Sequence, residues 1–291
     1  MERFWFVFPL LSAFFLATYN ALLKRLFATY DEYVTTFVSL TFTNLLLLPF
    51  SFFTHFTWPP PSFFLFMGIS LPLELLAMLL YIKALKVSPL TLTLPFLSLT
   101  PLYLLVTSFL LLGERVGGRG LAGILLLTVG GYVLNLGSIG SGLLEPFRSI
   151  LREKGSLYMV FVSVLYSMTS ALGKKAILLS SPLTFAFFYY PLLWISLGVF
   201  LCVRERGSLE KLTQRRGLIK ALLPGLCNFL SIVFHVYGIT LCLVPYFIAL
   251  KRTSIIFGMI YGFFFFGEGQ RLERLAGTLL MFSGLLMLIF P

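Results

Sequence analysis

FLLLGERVGGRGLAGILLLTVGGYVL, residues 109–134, returns later in the chain as FFFFGEGQRLERLAGTLLMFSGLLML, residues 263–288. Ten of the 26 positions are identical at a constant separation of 154, among them Phe109 and Phe263, Gly113-Glu114 and Gly267-Glu268, and Leu121-Ala122-Gly123 and Leu275-Ala276-Gly277. Apolar sequence seldom matches itself so well without duplication. A second match, Ala21-Leu22-Leu23-Lys24-Arg25 against Ala171-Leu172-Gly173-Lys174-Lys175, joins the beginnings of the two copies. The first apolar segment therefore belongs to the fold and is not read as a cleaved signal peptide.

The chain is 58% hydrophobic, 17% aromatic and 11% charged, which excludes a soluble globular domain. Apolar runs long enough to cross a bilayer fall at Phe4–Leu23, Val34–Phe56, Ser62–Ile82, Leu90–Leu112, Gly118–Leu136, Ser156–Leu178, Leu183–Val203, Leu218–Ile239, Leu243–Phe266 and Leu272–Phe290. The expected fold is all-α and membrane-embedded: ten transmembrane helices in two five-helix repeats, 1–137 and 156–291, joined by a linker at 138–155. An odd number of crossings per repeat makes the second copy enter from the opposite side, so the repeats are expected to be inverted, a design that favours a central transport site.

Within the ninth run, Lys251 and Arg252 follow each other about 13 Å below the helix start, near the middle of a core about 30 Å thick. Each such cation costs about 2.5–3.5 kcal/mol on the insertion scale, so the pair needs a reason, and a visiting anion supplies one. A purely structural role, holding carbonyls or an acidic residue, is the alternative. Helical spacing sets Lys251 on one face with Ser254, Gly258 and Tyr261. In the eighth run Asn228, Ser231 and His235 share a face, and the 154-residue shift maps them onto Glu74, Ala77 and Tyr81 of the third. The candidate substrate-binding set is thus Lys251, Arg252, Glu74, Tyr81, Asn228, Ser231, His235, Ser254 and Tyr261, with Tyr166 as a further wall.

Glu74 has two readings: a permanent salt bridge to Lys251 or Arg252, or a site for a cationic group of the cargo or a coupling proton. Ser163, Ser167 and Ser170 make a small-residue stripe suited to close helix packing. Pro95 and Pro101 both interrupt the fourth run, which should break or bend there and face Lys251 from the opposite wall. Cys202, Cys227 and Cys242 show no metal-ligand spacing and read as packing residues.

The Gly113-Glu114-Arg115 and Gly267-Glu268 junctions before the fifth and tenth helices, with Tyr81-x-x-Ala84-Leu85-Lys86-x-Ser88 ending the third, resemble the EamA-type proteins of the drug/metabolite transporter superfamily over nearly the whole chain. The resemblance implies ten helices in two repeats and a transport function. More narrowly, Leu250-Lys251-Arg252 before an apolar run resembles the ninth helix of sugar-phosphate and phosphate translocators, where such a pair holds the substrate's phosphate. That likeness implies an anion site at Lys251 and Arg252.

Loops on one face carry fifteen Lys and Arg and those on the other five, so the positive-inside rule places both termini outside the cytoplasm. Family members usually have both inside. The net charge of +11 reflects such loops and anionic lipid, with no nucleic acid expected.

The leading reading is a secondary transporter of a small anionic or zwitterionic organic metabolite, an amino acid, nucleotide-like or phosphorylated compound, in a multi-pass cell membrane (inner or plasma). Its partners are the metabolite and the lipid bilayer, a homodimer being compatible; no cofactor, metal or catalytic residue is expected. No GxxxxGK[ST] loop occurs, so exchange or an ion gradient supplies the energy. The rival is a membrane-embedded enzyme, lipid-handling or structural protein, but no HExxH or GxSxG supplies enzyme chemistry.

Overall fold

The structure, a computed structural model, describes residues 4–27, 31–52, 58–87, 94–136, 154–204, 215–266 and 272–290. Every element among them is helical: α1 (Val7–Phe27), α2 (Glu32–Phe52), α3 (Pro61–Val87), a 3-10 segment (Leu94–Leu99) running into α4 (Thr100–Leu112), α5 (Gly118–Leu136), α6 (Lys154–Leu178), α7 (Pro182–Arg204), α8 (Arg215–Gly238), α9 (Val244–Lys251), α10 (Ser254–Phe266) and α11 (Leu272–Ile289). Gly267-Glu268, Ser88, His55 and the segments 137–153 and 205–214 lie outside the described residues.

Local chemistry explains the ends. Asp31 Oδ1 accepts the Tyr33 and Val34 N–H groups at 2.9 and 3.2 Å and so caps α2. Pro61 and Pro182 open α3 and α7, where a missing N–H costs nothing. Gly113 ends α4 at φ 70°, and its N–H and that of Glu114 return to Phe109 O and Ser108 O. That left-handed turn is why a glycine precedes the glutamate in the repeated motif.

Ten apolar helices fit this architecture, with one correction. The ninth run is two helices, α9 and α10, divided directly after Lys251 although no proline lies there. At the division, Thr253 N–H and hydroxyl both donate to Leu250 O, at 3.0 and 2.7 Å, and Ile255 N–H donates to Arg252 O at 3.0 Å. Three-residue spacing tightens the chain into a turn, and the threonine hydroxyl competes for a carbonyl that an α-helix would use. The fourth run is divided too, α4 beginning at Thr100, which is 154 positions before Ser254. The repeats therefore break at equivalent places. Among the described residues, Pro61–Ala84, Lys154–Leu178, Pro182–Val203 and Ile219–Gly238 have the length and hydropathy to cross a membrane, while Val7–Leu23, Phe96–Leu112, Gly118–Val133 and Ala276–Ile289 are apolar but shorter.

Helix neighbours follow a twofold rule in which each helix of one half stands for its counterpart in the other. The α3–α6 contact matches α8–α1, the α4–α6 contact matches that of α9 and α10 with α1, and the α2–α8 contact matches α7–α3. The pairs α5–α11 and α2–α7 join equivalents directly, and α4 meets α9, the other half of the run equivalent to its own. A central core of Phe63, Leu104, Phe185, Phe229, Val236 and Phe247 packs between the halves.

The tightest crossing is α5 on α11. A Cβ on Gly130 would lie 2.6 Å from Met281 N and 2.8 Å from Gly277 O, and one on Gly284 would lie 2.7 Å from Gly123 O. Gly123 and Gly277, and Gly130 and Gly284, are two of the three glycine pairs that the duplicated stretch repeats at 154. Small residues there let two backbones touch. Gly130→Ala is expected to destabilise the bundle by about 1–3 kcal/mol, because the added methyl meets backbone that cannot rotate away. Gly68→Ala, with nothing within 4 Å of its Cβ and a helical position, should be neutral or slightly stabilising. Unfolding temperatures of the two variants in detergent check this contrast.

Candidate functional site

Lys251 and Arg252 stand at the break between α9 and α10. Arg252 Nη2 donates to Thr100 Oγ1 at 2.7 Å, reaching the residue where α4 begins after the break in the fourth run. Thr100 Oγ1 in turn donates to Leu97 O at 2.8 Å. The two interrupted helices therefore meet through one charged hydrogen bond. Arg252 Nε is buried and has no hydrogen-bond partner among the described residues. Lys251 Nζ lies 3.1 Å from His235 Nδ1 on α8.

These groups open onto a cavity of about 260 Å³. Glu74 enters it from α3, Tyr166, Thr169 and Lys174 from α6, and Phe185, Tyr189 and Tyr190 from α7. Apolar filling comes from Leu16, Ile177, Ile239 and Ile248. Phe185 and Tyr189 stack at 4.7 Å and present one broad aromatic face. Glu74 faces the Thr169 hydroxyl and lies within Coulombic reach of Lys251. No ion pair within 4.0 Å joins it to either cation among the described residues, so the permanent salt bridge is not the arrangement seen.

The expected site residues divide into two groups. Lys251, Arg252, Glu74 and His235 line the cavity together with Tyr166. Tyr81 lies beside Arg252 without lining the cavity and packs near Tyr158 and Tyr166. The other four are elsewhere. Asn228 Nδ2 donates to Thr43 Oγ1 at 3.1 Å, and Ser231 Oγ donates to Ser12 O at 3.0 Å, so both lock α8 against α2 and α1. Tyr261 hydrogen-bonds Thr18 at 2.7 Å between α10 and α1. Ser254 starts α10 just past the break. Of the serine stripe, Ser163 and Ser167 are buried in packing and return their hydroxyls to α6 carbonyls, while Ser170 lines the cavity.

Lys174, part of the repeated Ala171–Lys175 motif, is not in the candidate set drawn from the sequence. It is 8% exposed, and its Nζ donates to Glu114 Oε1 at 2.6 Å and to Cys242 O at 2.7 Å. Glu114 Oε2 accepts the Val244 N–H at 2.9 Å, which caps α9 and favours a negative charge at its start. Position 166 recurs as 169 and 170, 173 and 174, and 177 along α6, a helical stripe that could have marked this wall.

A family model matches the chain twice, over residues 3–136 and 153–290, and its description is the EamA-like transporter family. The chain belongs to the EamA-like transporter family. It is by that membership a multi-pass membrane transporter of the drug/metabolite type. No curated protein matches the sequence. A solved crystal structure, described only as that of a protein, covers 98% of this EamA-like chain and 95% of its own at a TM-score of 0.75. At 15% identity that likeness speaks for the fold alone. In this EamA-like bundle the break after Lys251 adjoins the cavity, and the break before Thr100 meets it through Arg252, so the irregular backbone lies against protein and polar groups.

Proposed function

We propose that this chain is a secondary transporter of a small metabolite that carries a carboxylate or phosphate and, in the favoured case, an ammonium group as well. It works in a cell membrane by rocking two inverted five-helix repeats, 1–137 and 156–291, about the cavity. The observation that carries the reading is the adjacent Lys251 and Arg252 at a helix break, both lining a cavity that also holds an unbridged Glu74. Two cations opposite one carboxylate match a zwitterion, which would neutralise both poles at once. A cavity of about 260 Å³ lies under the range of about 300–1,000 Å³ typical for drug-sized ligands, which favours a small metabolite.

The twofold pairing of helices, the equivalent breaks and the odd number of spans per half support an inverted repeat. With no nucleotide-binding loop in the sequence, movement is driven by exchange or by an ion gradient. An empty site bearing two adjacent cations resists crossing, which favours exchange over one-way release.

The deciding experiment is a thermal-shift screen of amino acids, nucleotides and phosphosugars on purified protein, followed by tracer uptake into vesicles. One compound class should raise the unfolding temperature and exchange across vesicles. Absence of stabilisation by every class, with tracer flux equal to empty vesicles, overturns the proposal. Glu74→Gln separates the cargo classes. It should weaken an amino acid by about 10–100-fold while leaving the matching acid without an ammonium unchanged, because one charge-assisted bond is removed.

A further inference from the structure

Lys251 Nζ and His235 Nδ1, 3.1 Å apart, can hold one hydrogen only between them. With Lys251 as an ammonium, which has no acceptor, Nδ1 is bare and the imidazole neutral with its proton on Nε2. The ring is held in place: Phe247, fully buried, meets it edge-on at 5.0 Å and 80°. The charged groups around it are Glu74 from α3, Lys174 from α6, and Lys251 and Arg252 at the α9 break, with the phenols of Tyr166, Tyr189 and Tyr190 completing the walls from α6 and α7. α1 contributes Leu16 to the cavity. The charge of Lys174 is engaged by Glu114. In the empty site a second proton on His235 would break its bond to Lys251 and set three neighbouring cations against the single carboxylate of Glu74.

Cargo changes that balance. We propose that His235 is the coupling residue: an anionic group bound at Lys251 and Arg252 draws the lysine away from Nδ1, one proton from the adjoining water adds to Nδ1, and cargo and proton cross together. The step forms one N–H bond, consumes one solvent proton and leaves an imidazolium beside the bound anion. This rests on the anion-site reading above, and it makes transport respond to a pH gradient where exchange alone would not. Linkage fixes the sign: one proton taken up per cargo makes affinity fall about tenfold per unit rise in pH wherever His235 is neutral in the empty protein and charged in the loaded one, and leaves affinity flat at higher pH.

The test uses the full chain, which has two histidines, in the His55→Gln background so that one imidazole remains. The probes are the twenty L-amino acids and inorganic phosphate, with binding read as a rise in unfolding temperature and the imidazole state read by ¹⁵N NMR. Without probe, the spectrum should show a neutral ring protonated on Nε2. With a binding probe it should show imidazolium, and binding in weak buffer should take up about one proton per protein. In His235→Gln, whatever affinity survives should no longer vary with pH. An imidazolium in the empty protein, an Nδ1-protonated ring, or binding without proton uptake overturns the coupling role while sparing the anion site. If no probe binds to any variant, the anion site fails and the coupling proposal fails with it.

Discussion

Lys251→Ala and Arg252→Ala are each expected to lower cargo affinity by about 10–100-fold, the loss of about 1.5–3 kcal/mol for a hydrogen bond to a charged group in a desolvated site. The double variant should show no ligand-induced rise in unfolding temperature. Arg252→Lys keeps the charge but not the planar fork, so it should fall between wild type and alanine if the cargo group is a planar carboxylate. Stability should move the other way. Removing one member of an adjacent, poorly partnered cation pair relieves repulsion and a buried Nε without an acceptor, so the empty Arg252→Met protein should melt at the same temperature or higher. A structural role for the pair predicts the opposite sign, since the Arg252 bond to Thr100 would be lost without compensation. Ligand binding and melting temperature measured on the same preparations separate the two.

Lys174→Met should be the most damaging change to the fold. It strands Glu114, 9% exposed, with the Val244 N–H as its remaining bond partner, and breaking a buried pair from one side costs about 3–5 kcal/mol. For a chain of this size that corresponds to a fall in unfolding temperature on the order of 10 °C. Adding Glu114→Gln to Lys174→Met removes the stranded charge and should restore most of the loss. Failure of that second change to rescue stability would mean that the lysine acts through its bond to Cys242 O and not through the carboxylate. Because helical membrane bundles often unfold irreversibly, heating rate must be held constant across the series.

Duplication made the architecture legible. A glycine that must touch backbone in one copy must do so in the other, so Gly123, Gly130, Gly277 and Gly284 left the same letters at the same interval. The cations were legible because charge at that depth in an apolar run is costly wherever its partner lies. Depth along a helix was harder to read than face. Asn228, Ser231 and His235 do share one side of α8, but the first two meet α2 and α1 and only the last reaches the cavity. Periodicity fixes rotation; it does not say which neighbour stands opposite each turn. Lys174 was hidden for a related reason, since its partner is 60 positions earlier and a lysine near a helix end ordinarily faces water. Tyr189 and Tyr190 gave no signal among 33 phenylalanines and 13 tyrosines. The division after Lys251 went unseen because it comes from a threonine returning its hydroxyl to a carbonyl, not from a proline.

Where α5 crosses α11, peptide lies against peptide at Gly130 and Gly284, with Met281 and Leu288 wedged beside the glycines. Sliding either helix by one residue would drive a bulkier neighbour into a slot that admits only hydrogen, so this seam fixes the height of one helix against its twin. Any motion in the proposed cycle would have to leave that register intact, and α9, with its paired positive charges at one tip and its capped start at the other, is itself walled in by buried side chains from Val244 to Leu250.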